Sequence, residues 1–183
     1  GEKKGDYEPR KKLLTPQKKQ MITLGLDYLK NKSQFSYNIA LSNNDKNLFS
    51  KIDDEDNFSW AMNVFAKTEM KFNNTKLESS INYEFLEKNF SFIERTRDLE
   101  FSRNWNITDS TFFEKKQHIL NFQITSDFYK NRKVSYQFEF MDTKNTKKLR
   151  QLINGDIQSE NWKTTLFTSF LNDYGIDYNL AFL

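Results

Sequence analysis

The 183-residue chain contains no cysteine, one histidine, two prolines and five glycines. Without cysteine there is no disulfide, no thiolate nucleophile and no Cys-ligated zinc. A lone histidine cannot build a His-rich metal site. Average usage would place roughly 13 glycines and roughly 9 prolines in a chain of this length. The usual turn-makers are therefore scarce, and no glycine loop that cradles phosphate and no nucleophile elbow can be found. No run reaches the ~18–20 apolar residues of a membrane helix. Neither sign of charge dominates, with 28 Lys and Arg against 25 Asp and Glu. The local exception is the basic arm of residues 1–19, which carries Lys3, Lys4, Arg10, Lys11, Lys12, Lys18 and Lys19. No recognition motif accompanies it, so no nucleic-acid partner is expected.

What the chain has in quantity is aromatic side chains: 18 Phe, 8 Tyr and 3 Trp. So aromatic a chain is not a disordered one, yet its average hydropathy is strongly hydrophilic. The order of the residues reconciles the two. From residue 20 onward apolar and polar residues alternate with the strand period of two. Phe58, Trp60, Met62, Val64, Ala66, Thr68, Met70 and Phe72 form one face of a segment; Ser59, Asn63, Lys67, Glu69 and Lys71 fall on the other. The same pattern runs through residues 22–28, 35–41, 77–85, 118–128, 134–140, 149–157, 162–170 and 176–182. This predicts nine antiparallel strands, with Leu99, Phe101, Trp105 and Ile107 as a candidate tenth. A weak helical pattern appears only near Lys144 to Leu152. Turns are expected at Asn and Lys residues, such as Lys30-Asn31-Lys32 and Asn73-Asn74-Thr75, because Asn tolerates left-handed backbone.

The fold class is therefore all-β, an antiparallel up-and-down meander of about 9–10 strands. Short turns near residues 30–33, 73–75, 130–133 and 158–161 alternate with longer connections at 43–57 and 86–115 and a medium one at 141–147. The apolar faces named above contain no Asp, Glu, Lys or Arg, so something dry is expected to cover them. Three covers compete. Lipid is the first: outer-membrane barrels have long alternating strands, loops of unequal length at the two ends and aromatic girdles. The chain itself is the second, as in a sandwich or soluble barrel. A lipid-like ligand in a curved periplasmic sheet is the third. Ile176 to Leu183 read as a strand in progress, so residues 20–183 are expected to be a segment of a larger β-domain.

One stretch breaks the pattern. Phe92-Ile93-Glu94-Arg95-Thr96-Arg97-Asp98-Leu99-Glu100-Phe101-Ser102-Arg103-Asn104-Trp105-Asn106-Ile107 crowds charges of both signs. Its plain reading is a polar loop whose charges pair across a wet face. Its sharper reading is an anion- or glycan-binding patch of Arg95, Arg97, Arg103 and Trp105, since guanidinium forks grip carboxylates or phosphates and an indole stacks on sugars. An acidic pair drawn from Glu94, Asp98 and Glu100 is a weaker enzymatic option.

That stretch resembles a recurring one in large uncharacterised envelope proteins of the Bacteroidota. Gly5 to Pro9 and Ala40 to Ser50, followed by Asp53-Asp54-Glu55-Asp56, are similar to the same proteins. The resemblance implies a long all-β chain associated with the outer membrane; it supplies no activity. Asp109-Ser110-Thr111 resembles the short O-glycosylation signal of such proteins. Elsewhere, the acidic run 53–56 lacks the spaced ligands and glycine of a calcium loop, and His118 opens an apolar face, which favours packing. The Asn-x-Ser/Thr sites at Asn31, Asn57, Asn73, Asn89 and Asn106 are what an Asn-rich chain produces by chance.

The expected function is thus a non-enzymatic outer-membrane or envelope component, structural, assembly or transport, without cofactor or metal. Its expected partners are membrane lipid or a lipid-like ligand and other envelope proteins. The alternative is a periplasmic lipid- or glycan-binding β-protein with an apolar groove.

Overall fold

The structure is a computed structural model that describes residues 15–174, apart from 53, 95, 109–111, 113–114, 129–130 and 145. It is all-β. Eight strands follow one another as β1 (Lys18–Lys30), β2 (Ser33–Asp45), β3 (Phe58–Phe72), β4 (Thr75–Leu86), β5 (Gln117–Phe128), β6 (Arg132–Thr143), β7 (Thr146–Gln158) and β8 (Lys163–Tyr174). They form one antiparallel sheet in sequence order, so every neighbour in the chain is a neighbour in space. Among the described residues the sheet is not closed: β1 and β8 are its two edges.

The register is unbroken and makes the period of two a property of the whole sheet. Leu26, Tyr37, Val64, Tyr83, Leu120, Phe140 and Leu149 stand in one row across seven strands. Asn38, Asn63, Glu84, Ile119, Met141 and Lys148 stand in a row on the opposite face. One residue of slip in any strand would exchange its two faces, so this pattern specifies register strongly.

Four short turns lie at one end of the sheet and the other connections lie at the opposite end. Asn31 and Asn73, in the two turns at residues 31–32 and 73–74, have φ of 54° and 49°. Asn89 and Asn106, in the long β4–β5 connection, also have positive φ. Asn pays little for this region where β-branched residues pay heavily. Four of the five Asn-x-Ser/Thr sites are therefore explained by backbone geometry, and the scarcity of glycine is explained with them.

Three expectations need correction. Phe101–Asn104 is one turn of α-helix, α1, and not part of a tenth strand. Its Phe101 and Trp105 are four residues apart, the spacing that puts two side chains on one side of a helix; read as alternation, that spacing misleads. The helical pattern near Lys144 to Leu152 belongs to strand β7, and the expected medium connection at 141–147 shrinks to residues 144–145 between β6 and β7. The pattern misled because Gln151 and Gly155 interrupt β7's apolar face, leaving Leu149, Ile153 and Ile157 at spacing four. The ninth strand expected at 176–182 and the Asp109-Ser110-Thr111 signal lie outside the described residues.

The core sits on the polar face. The β4–β5 connection, residues 87–116, folds back over that face at the long-connection end. Trp105 and Phe112 from the connection are buried against Ile119 of β5 and Met141 of β6. Phe90 is buried against Ala61 of β3 and Leu86 of β4. Polar neighbours complete the seam: Ser59 Oγ donates to the Lys88 carbonyl at 2.7 Å, and Gln117 Nε2 donates to the Phe112 carbonyl at 3.1 Å. Among the described residues most of the apolar face is uncovered: Ile22 is 72% exposed, Leu24 73% and Leu26 61%, and only at the long-connection end is Phe85 buried, with the Lys116 ammonium 4.9 Å from its ring centroid.

The turn geometry carries a direct test. Asn73→Val forces a β-branched residue into the left-handed region and should cost about 1–2 kcal/mol. Asn73→Gly should be close to neutral. Denaturant or thermal unfolding of the two variants checks this, and equal stabilities would contradict the geometry.

Candidate functional site

The charge-dense connection reaches the sheet through a few well-defined attachments. Arg97 Nη2 meets the Glu84 carboxylate on the polar face of β4 and lies 3.4 Å from Gln117 Oε1 of β5. The same guanidinium covers the Phe101 ring at 4.7 Å from its centroid. Both members of the Arg97–Glu84 pair are largely shielded, with side-chain exposures of 18% and 22%. Such a pair has lost much of its hydration, and removing one partner strands the other.

Arg103 behaves differently. It points into solvent and holds only Glu100, at 2.8 Å and three residues away on α1. Trp105 is buried at 3% exposure inside the cluster of Phe112, Ile119 and Met141. Its ring is packing, not a platform open to a sugar. Arg95 lies outside the described residues. The proposed patch therefore does not converge: Arg97 is engaged with the sheet, Arg103 faces away from it, and Trp105 is inside. Of the acidic candidates, Glu100 is spent on Arg103, Asp98 Oδ1 accepts the Glu100 amide at 3.4 Å, and Glu94 is exposed.

The polar anchor that sequence reasoning missed is Lys148 of β7. Its side chain is 6% exposed, and its ammonium meets the Trp105 carbonyl at 2.9 Å, the Asn106 carbonyl at 2.9 Å and Asp173 Oδ2 of β8 at 2.7 Å. An ammonium has three protons, and here each has an acceptor. The carbonyls are the loose end of α1, which has no following helical turn to satisfy them. Its signal in the sequence was parity alone, since Lys148 falls on the polar side of a strand whose neighbours Leu149 and Lys147 face the other way.

Further along the polar face the side chains bond to one another. Asn63 Nδ2 donates to Asn82 Oδ1 at 2.9 Å. Glu139 collects Asn121, Gln137 and Arg150 at 3.2, 2.7 and 3.1 Å. Near the short turns Glu69 lies between Lys76 at 2.8 Å and Lys32 at 3.5 Å, and Lys67 pairs with Glu78 at 2.9 Å. This is a wall of amides and balanced charge, suited to water on that side.

The apolar face has its own polar atoms, and three pairs of them bond within the face. Tyr83 Oη lies 2.8 Å from His118 Nδ1, Tyr136 Oη donates to Gln151 Oε1 at 3.1 Å, and Ser33 Oγ lies 3.0 Å from Thr68 Oγ1. His118 thus takes a packing and hydrogen-bonding place beside Phe85, whose ring centroid is 5.0 Å away. No cluster of metal ligands occurs among the described residues. Glu55 and Asp56 of the acidic run are exposed, and Asp56 accepts from Asn89 at 3.1 Å.

Compared with protein-family models, with curated proteins and with solved structures, the chain matches none of them.

Two substitutions separate anchor from ornament. Lys148→Met strands two carbonyls and a carboxylate and should cost about 3 kcal/mol. It should also free the segment around Trp105, seen as faster proteolysis within residues 98–108 and a red-shifted tryptophan emission. Arg103→Ala removes an exposed pair and should change stability by less than about 0.5 kcal/mol. A Lys148→Met variant as protease-resistant as wild type would contradict the assignment.

Proposed function

We propose that this sheet is a lipid-facing wall of an outer-membrane β-barrel in a Gram-negative envelope. On this reading the protein is a non-enzymatic structural, assembly or transport component of a larger envelope complex. One observation carries the reading: the face that the β4–β5 connection leaves uncovered is an apolar band bounded by charge at both ends.

The band has the dimensions a bilayer asks for. On β5 the charge-free positions of that face run from His118 to Phe128. Ten steps of ~3.4 Å, tilted by ~45°, rise about 24 Å, against the ~25 Å apolar belt of outer-membrane barrels. Eight strands spaced ~4.8 Å apart make the wall about 34 Å across the strands, and with about 34 Å along each strand the face covers about 1,150 Å². The largest apolar patch on a typical soluble monomer is ~300–600 Å². Charges appear on this face only at its ends. Lys18, Asp45, Asp142 and Lys147 close the end of the long connections, and Lys30 and Arg132 close the end of the short turns.

In hydrocarbon an unpaired hydroxyl or amide is expensive. The bonds Tyr83–His118, Tyr136–Gln151 and Ser33–Thr68 lower that cost at six polar positions of this face, while Thr168 Oγ1 of β8 is left without a partner among the described residues. The opposite face, amide-rich and partly filled by the folded-back connection, suits a barrel interior. A soluble lipid carrier would turn its greasy surface toward the covering segment; here the covering segment lies on the other side.

The chain has no cysteine, so single-cysteine variants give clean labelling. The full-length protein should remain with membranes and need detergent for extraction. Cysteine at Leu24, Phe122 or Leu166 should react with a hydrophobic, membrane-dissolved reagent and resist a water-soluble maleimide. Cysteine at Asn63 or Gln123 should do the reverse. A monomer that purifies without detergent, with Leu24→Cys fully open to the maleimide, would sink the reading.

A further inference from the structure

The apolar face is not evenly filled. In the row Tyr28, Phe35, Ala66, Ile81 and Phe122, a single alanine stands among large side chains. The next row toward the short turns sets Ser33, Thr68 and Ser79 side by side on the same face. The result is an open groove of about 440 Å³ walled by Tyr28, Phe35, Ile81 and Phe122. That is the volume of a ligand-sized cleft, for which ~300–1,000 Å³ is usual. The Ser33 and Thr68 hydroxyls satisfy each other, so the groove floor has little polarity to offer a polar ligand.

The charge at its mouth is one-sided. Lys30 lies directly across from Ser33 and one pleat beyond Tyr28 on the same face. Arg132 is the other charged residue of this face at this end. The acids of the same end, Glu69, Glu78, Asp127 and Asp156, alternate onto the opposite face. There Glu69 engages Lys76 and Lys32, and Glu78 engages Lys67. Lys30 takes no part in these pairs. A groove that is apolar along its length and cationic at one mouth complements a molecule with a long apolar chain and an anionic head.

We propose that this groove seats one acyl chain of an anionic glycerophospholipid, with Lys30 meeting its phosphate. The proposal rests on the membrane reading above. The short turns of an outer-membrane barrel face the periplasm, and the leaflet on that side is made of glycerophospholipid. Filling the notch with a chain removes the apolar void between Phe35 and Ile81 and gives Lys30 its counter-charge.

The test reconstitutes the full chain into phosphatidylcholine nanodiscs containing a minor share of phosphatidylglycerol with the same acyl chains. Native mass spectrometry after gentle detergent release reads the lipid retained. Wild type should enrich phosphatidylglycerol about fivefold over its share, the effect of one basic residue at a membrane surface. Lys30→Gln should abolish that preference and leave phosphatidylcholine retention unchanged. Ala66→Phe, which fills the groove, should lower retention of both lipids; Ser79→Leu does the same job if Ala66→Phe does not fold. Wild type without enrichment, or Lys30→Gln with enrichment intact, or groove-filled variants that retain lipid like wild type, would each overturn the proposal. Hydrophobic labelling at Ile153→Cys and Leu166→Cys, far from the groove, separates the two levels. Labelling there without lipid preference overturns the groove alone, and no labelling there overturns the membrane reading with it.

Discussion

A β-strand sends successive side chains to opposite faces, so an unbroken register divides all eight strands between the same two environments. Everything else in this structure depends on which face is covered. In a soluble sandwich the apolar faces meet and the polar ones look outward. Here the arrangement is inverted: the long β4–β5 connection covers part of the polar face, and the described residues leave most of the apolar face open. The inversion is inexpensive only if something apolar covers the open face. At ~25 cal/mol per Å², leaving a face of about 1,150 Å² in water forgoes at most about 29 kcal/mol. That exceeds the whole stability of an ordinary domain.

The covered face shows how a polar wall can still hold a small core. Trp105 and Phe112 enter over Ile119 and Met141, two of the apolar residues that parity places among inward polar ones. Hydrophobic contact alone would leave the carbonyls after α1 facing a buried lysine's worth of empty polarity. Lys148 fills that place and is itself fully engaged, while Arg97 and Glu84 neutralise each other at the margin. Of the described arginines in the segment that looked like a ligand site, Arg97 fastens it to the sheet, whereas Arg103 stays in solvent and fastens nothing to the sheet.

Alternation made the strands and both faces legible from the sequence, and the Asn turns were legible from turn chemistry. Both signals are local. What failed was read where local signals conflict. Phe101 and Trp105 satisfy a strand pattern only if their spacing of four is taken as two alternations; the same spacing is a helical turn. Leu149, Ile153 and Ile157 have that spacing too, yet β7 is a strand, because β6 supplies a paired edge from Arg132 to Thr143. Tertiary pairing decided opposite outcomes for the same local pattern. The Lys148 anchor needed knowledge of where residues 105 and 106 would lie, forty-odd positions upstream, which no local rule provides. The groove at Ala66 needed the cross-strand register, since Ala66, Ser33 and Ser79 are unremarkable one strand at a time.

The hydrophilic average of the chain and its membrane-compatible wall follow from the same division. A wall one side chain thick needs apolar residues at only every second position, and connections and inward positions can carry charge freely. The charges obey that partition. Lys67, Glu69, Lys71, Lys76 and Glu78 occupy the inward parity of the β3–β4 hairpin, while its outward parity from Phe58 to Phe85 holds none. Random placement at the chain's 29% charge would put several on those fourteen outward positions. The exclusion reaches past the middle of the sheet to within one residue of the turn, where Phe72 faces Thr75. The proposed lipid contact accounts for this exclusion, because a sheet standing in lipid must keep charge off its outer face even beside a solvated turn.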